Sequence, residues 1–100
     1  MDATAARAKA LEYISSELPG DDKPTIIDGK TRETPLFWVF VWNSSRYLET
    51  GDERFSLIGN APIAISKADG AIYRLPTGWP LEQSIAELTD RLARNRGNAQ

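Results

Sequence analysis

The run Leu36-Phe37-Trp38-Val39-Phe40-Val41-Trp42 constrains this chain more than any other segment. It is aromatic and β-branched and too short to make a helix of its own, so it predicts a strand. Side chains alternate along a strand, which puts Leu36, Trp38, Phe40 and Trp42 on one face and Phe37, Val39 and Val41 on the other. Both faces are apolar, and such a strand is normally central and covered on both sides. The rest of the 100 residues, or a partner, has to supply that cover.

Two segments have the period to do so. From Ala3 to Leu18 the pattern is helical, with Leu11, Ile14 and Leu18 on one side, extended by Ala3, Ala6 and Ala10. Asp2 or Thr4 can cap its start, and Pro19-Gly20 ends it. Asp21 to Pro24 reads as a linker. A second helix follows Pro80, where Leu81, Ile85, Leu88 and Leu92 make one apolar stripe. Glu87–Arg91 and Asp90–Arg94 are acid-first pairs on its surface. Residues 97–100 are expected to fray.

Between the helices, Thr25 to Thr34 predicts a strand weakened by Gly29, with a bulge there. Asn43-Ser44-Ser45 predicts a turn, Tyr47-Leu48 a pair packing downward, and Phe55, Leu57 and Ile58 the anchors of a short element. Ala61–Ser66 and Ala71–Leu75 predict two strands joined by the turn Lys67-Ala68-Asp69-Gly70. The sum is a single α+β domain over 1–100: a small antiparallel sheet of about four strands with N-terminal and C-terminal helices packed on it. Two arrangements stay open. The helices can cover one sheet face each, or share one face and leave the other to a partner.

The chain has no Cys and no His. That removes disulfides, thiolate and imidazole catalysis, and zinc or iron–sulfur sites. The net charge of -2 argues against a basic nucleic-acid surface. The Arg91, Arg94 and Arg96 cluster reads as cations complementing a helix C-terminus. No apolar run reaches the ~20 residues that span a membrane, and the Ala-rich start lacks the core of a signal peptide, so a cytoplasmic protein is expected. Asp28-Gly29-Lys30-Thr31 looks like the end of a phosphate-binding loop, but Pro24 stands where the motif needs Gly, and a strand follows instead of a helix. Glu49, Asp52 and Glu53 form an acidic cluster without calcium-loop spacing, which reads as a solvated turn. Asn43-Ser44-Ser45 matches a glycosylation acceptor that matters only in a secretory pathway. No cofactor, metal site or catalytic residue is therefore expected.

Several blocks together resemble one family. Phe37-Trp38-Val39-Phe40, Tyr47-Leu48-Glu49-Thr50-Gly51-Asp52-Glu53, Leu57-Ile58-Gly59-Asn60-Ala61-Pro62 and Asp69-Gly70 are similar to the immunity protein 35 (YrhB-like) family, over roughly Thr25 to Leu88. At one position the chain departs from it: Phe37 stands where the family tends to carry Gly. The resemblance implies a small α+β bacterial protein that neutralises a cognate toxin domain by binding it, without catalysis. It also implies an alternative, since some members are associated with chaperone-like behaviour: a stress-stable holdase on exposed apolar surfaces. The expected partner is a toxin protein rather than nucleic acid or membrane, with a homodimer as a further expectation. Loop position and composition nominate Trp42, Tyr47, Glu49, Asp52, Glu53 and Arg54 as the contact stretch. Trp38, mid-strand, is assigned to the core.

Overall fold

The computed structural model describes residues 2–17, 23–51, 61–76 and 79–98. The first element is helix α1, Ala3–Glu17, whose start is capped by Asp2: its Oδ1 accepts from the Ala5 amide at 2.8 Å. The buried seam of α1 runs through Ala6, Ala10 and Ile14, with Leu11 and Tyr13 on its flanks. Ala3 is exposed, so the seam is narrower than the sequence pattern drew it, and Leu18 lies outside the described residues. Small residues at the seam let the helix backbone approach the sheet closely.

Strands follow at β1 (Pro24–Ile26), β2 (Arg32–Glu33), β3 (Phe37–Phe40) and β4 (Trp42–Ser44). They form one long hairpin bent over two sheets. β1 pairs antiparallel with β4, Ile26 opposite Trp42, and β2 with β3, Arg32 opposite Val39. Between these two pairs the first arm carries three more residues than the second, matching the single 3-10 turn Asp28–Lys30. The Ile27 amide donates to the Val41 carbonyl at 2.8 Å and rejoins the arms beside the turn. The expected strand Thr25–Thr34 is thus two strands with a full turn at the predicted bulge. Likewise the apolar run is two strands that change partner at Val41.

The four-stranded sheet has the order β2-β3-β5-β6, all antiparallel, with β5 at Ile63–Ser66 and β6 at Ile72–Arg74. Their connection is the predicted turn, in which Gly70 has φ 71 and the Gly70 amide donates to the Ser66 carbonyl. The Asp69 carboxylate accepts from the Ala71 amide at 3.0 Å. That bond, followed by the Ser66 hydroxyl, holds its carboxyl below the usual range.

The last element is helix α3, Leu81–Asn98, which extends through part of the stretch expected to fray. The Pro80 carbonyl accepts from the Gln83 and Ser84 amides at its start. The two helices take opposite faces. Ala6, Ala10 and Ile14 of α1 pack with Ile26, Phe40, Trp42, Ile63 and Ile65, and Trp38 packs half-buried at the margin. Leu88 of α3, flanked by Leu81, Ile85 and Leu92, packs with Phe37, Val39, Ala64 and Leu75. Cross-strand partners share a face, and the register agrees: Phe40 pairs with Ile63 under α1, and Val39 with Ala64 under α3. The chain therefore supplies both covers itself. Phe37 is fully buried on the α3 side.

Candidate functional site

The nominated stretch leaves the sheet at the end of β4. Asn43 and Ser44 are strand residues, and Ser45 opens a short helix, α2 (Ser45–Thr50), where a turn was expected. Its first residue is tied down three ways. The Ser45 amide and hydroxyl both donate to the Lys23 carbonyl at 2.9 Å, and the Thr25 and Ser45 hydroxyls share a hydrogen bond. Gly51, with φ 70, follows the helix in the left-handed conformation common just past a helix end. Where the described chain resumes, Ala61 is tied from the other side: the Trp42 indole N–H donates to its carbonyl at 2.8 Å. Ser45 and Ala61 are therefore two fixed points, one held at Lys23 and β1 and the other by the Trp42 ring.

These anchors sort the candidates. Trp42 is 7% exposed and sits in the α1-side core, so its ring holds the base of the excursion instead of lying on its outside. Glu49 is exposed on α2, as are Leu48 and Thr50. Leu48, expected to pack down, is 42% exposed, and with Trp79 it forms the exposed large hydrophobics of the described residues. A six-residue helix is under two turns, too short for periodicity to show which side of Leu48 faces out. The Tyr47 backbone belongs to α2, but its side chain lies outside the described residues, as do Asp52, Glu53 and Arg54, and the expected anchors Phe55, Leu57 and Ile58.

Charged groups elsewhere tie elements together. Arg7 on α1 grips Asp28 of the 3-10 turn, its Nε and Nη2 at 2.8 and 3.2 Å from the two carboxylate oxygens. The Arg7 hydrogen bond holds the Asp28 carboxyl below its usual range. Lys67 bonds Glu33 at 2.7 Å and lies over the Trp38 ring, 4.6 Å from its centroid. Arg32 pairs with Glu82 of α3, and Arg94 with Asp90 at 3.2 Å. Among the described residues no group of three or more carboxylates is placed to hold a metal ion, and no helix is long and apolar enough to cross a membrane.

The fold defines a small α+β protein whose sheet is sheathed by its own helices, with the short helix α2 tethered at Ser45 and exposed at Leu48, Glu49 and Thr50. The family model for immunity protein 35 matches residues 4–87, and the chain belongs to that family. The match takes in α1 as well as the stretch that carried the resemblance. The chain is also 38% identical over 82 residues, 82% of each chain, to a protein of Escherichia coli (strain K12) described as uncharacterized protein YrhB. No solved structure matches it.

Proposed function

We propose that this protein is a non-enzymatic immunity protein of the bacterial cytoplasm that binds a cognate toxin domain and blocks it. Membership of the immunity protein 35 family carries this reading. The excursion over residues 45–61 is the proposed contact surface. Leu48 is its apolar centre, Glu49, Asp52, Glu53 and Arg54 are its charges, and Tyr47 adds an aromatic ring. Trp42 acts from beneath, by fixing where the segment returns. Interfaces combine an apolar anchor with a charged rim in this way. Tethering at both ends limits the freedom lost on binding.

The test is co-expression with the toxin encoded beside this gene. Growth should be restored, and the two proteins should co-purify; failure of both sinks the immunity reading. Leu48→Asp combined with Glu49→Lys should weaken toxin binding at least about tenfold, or about 1.4 kcal/mol. Undiminished binding by that variant removes the surface and leaves the immunity reading standing. The holdase alternative requires a broad exposed apolar patch. Leu48 and Trp79 are the exposed large hydrophobics among the described residues, and neither favours it.

A further inference from the structure

The two edges of the four-stranded sheet differ. Along β5 and β6, the Ser66 amide donates to the Ala71 carbonyl and the Leu75 amide to the Pro62 carbonyl, both at 2.9 Å. Hydrogen-bonded pairs alternate along an antiparallel ladder, so Tyr73 turns both backbone groups toward its partner Ala64. Ile72 and Arg74 turn theirs outward, to an edge that no strand among the described residues pairs. On the opposite edge, the Thr34 amide donates to the Phe37 carbonyl, and the same alternation leaves Glu33 as the one outward residue of β2. The Glu33 side chain is already engaged by Lys67.

Beside β6, on the α1 face, lies a depression of about 270 Å³ lined by Lys9, Glu12, Tyr13, Ser16 and Ile72. Lys9 is engaged, donating to the Gly70 carbonyl. Glu12 is exposed and makes no ion pair among the described residues. The same holds for Arg74, which pairs with Ile63 in the ladder and so projects on the α1 face, as Ile72 does.

We propose that β6 pairs antiparallel with β6 of a second copy of this chain, about a two-fold axis through Tyr73. In that register Ile72 of each copy faces Arg74 of the other, and the outward amides and carbonyls of both residues are satisfied. Directly opposed residues share a sheet face. The Arg74 of each copy therefore lies beside Ile72 of the other, at the mouth of the depression that holds Glu12. An unpaired cation meets an unpaired anion, twice over by symmetry. One register thus satisfies both the strand edge and the two unpaired charges, which makes a second copy the fitting occupant.

Sedimentation velocity on the full chain, over a concentration series at low salt, tests this without any toxin. A dimer is expected. Glu12→Arg and Arg74→Glu should each weaken it at least about tenfold, and the two together should restore it. Both residues are exposed, and circular dichroism verifies that each variant folds. A second readout needs no variant: amide hydrogen exchange at Ile72 and Arg74 should slow as protein concentration rises, while that of Tyr73, already bonded to β5, should not change. A chain that stays monomeric, a dimer whose Ile72 and Arg74 amides stay unprotected, or charge reversals that do not rescue each other would overturn the proposal.

Discussion

Replacing Leu88 by Ala asks whether α3 is held to the sheet by its apolar stripe. Leu88 is 1% exposed and packs against Phe37, Val39, Ala64 and Leu75. The substitution removes Cγ and both Cδ atoms, and at about 0.8 kcal/mol for each buried carbon the transfer loss is about 2.4 kcal/mol. The void left among rigid neighbours adds to that, giving a total of about 3 kcal/mol, inside the usual range for buried Leu. For a domain of this length such a loss lowers Tm by roughly 12–24 °C. Urea unfolding followed by far-UV circular dichroism, with the slope unchanged, measures it directly. Leu92→Ala, at a half-buried position on the same stripe, should cost clearly less. The opposite outcome has its own signature. Ala is a slightly better helix former than Leu, so in an undocked helix Leu88→Ala would be neutral or mildly stabilising. A change within about 0.5 kcal/mol of zero would refute the docking of α3.

Two glycines should behave oppositely. A Cβ added at Gly29 or at Gly51 meets nothing within 4 Å, but Gly51 alone of the two has φ 70. Gly29→Ala should be neutral to stabilising by up to about 1 kcal/mol, and Gly51→Ala should cost about 1 kcal/mol, both read from urea midpoints. Ser84→Ala should stabilise by roughly 0.5–1 kcal/mol in the same assay, because the Ser84 hydroxyl is buried on α3 without a hydrogen-bond partner among the described residues. Asp69 and Asp28 should make stability fall in acid. A carboxyl whose folded pKa is depressed binds fewer protons folded than unfolded, so its contribution is full above the usual carboxylate range and is lost as pH drops through the lower folded value. Unfolding midpoints taken downward from about pH 5 should show a shallower decline for Asp69→Asn than for the parent chain, and parallel curves would exclude the assignment.

Long-period signals in the sequence were legible, and short ones were not. The stripe of Leu81, Ile85, Leu88 and Leu92 recurs over three turns and located α3. The Asp69-Gly70 turn carries a backbone demand that few other residues meet, and it located the β5–β6 hairpin. The run from Leu36 to Trp42 announced a strand needing two covers, but its apolar alternation continues unbroken through Val41 and hides the change of partner there. Which helix takes which face was also hidden, since both stripes are apolar and the choice is made by chain path. The candidate site was the least legible part. α2 is too short to show a period, and the burial of Trp42 depends on Ala61, a residue far along the chain that accepts its indole N–H. An exposed Trp and a clamping Trp look alike in sequence.

The 3-10 turn Asp28–Lys30 has a consequence for how this hairpin tolerates length changes. It inserts an odd number of residues into one arm, and an odd shift inverts which positions point inward. On the second arm the even-numbered Trp38, Phe40 and Trp42 all face α1. On the first arm the phase changes: Glu33, odd, is paired with Trp38, whereas Ile26, even, is paired with Trp42. The turn works like a frameshift within a strand. Shortening or lengthening it by two residues would keep Ile26 in register with the core. A change of one residue would turn Ile26 outward and bring Thr25 under α1, and with it the tether at Ser45 that fixes where α2 begins.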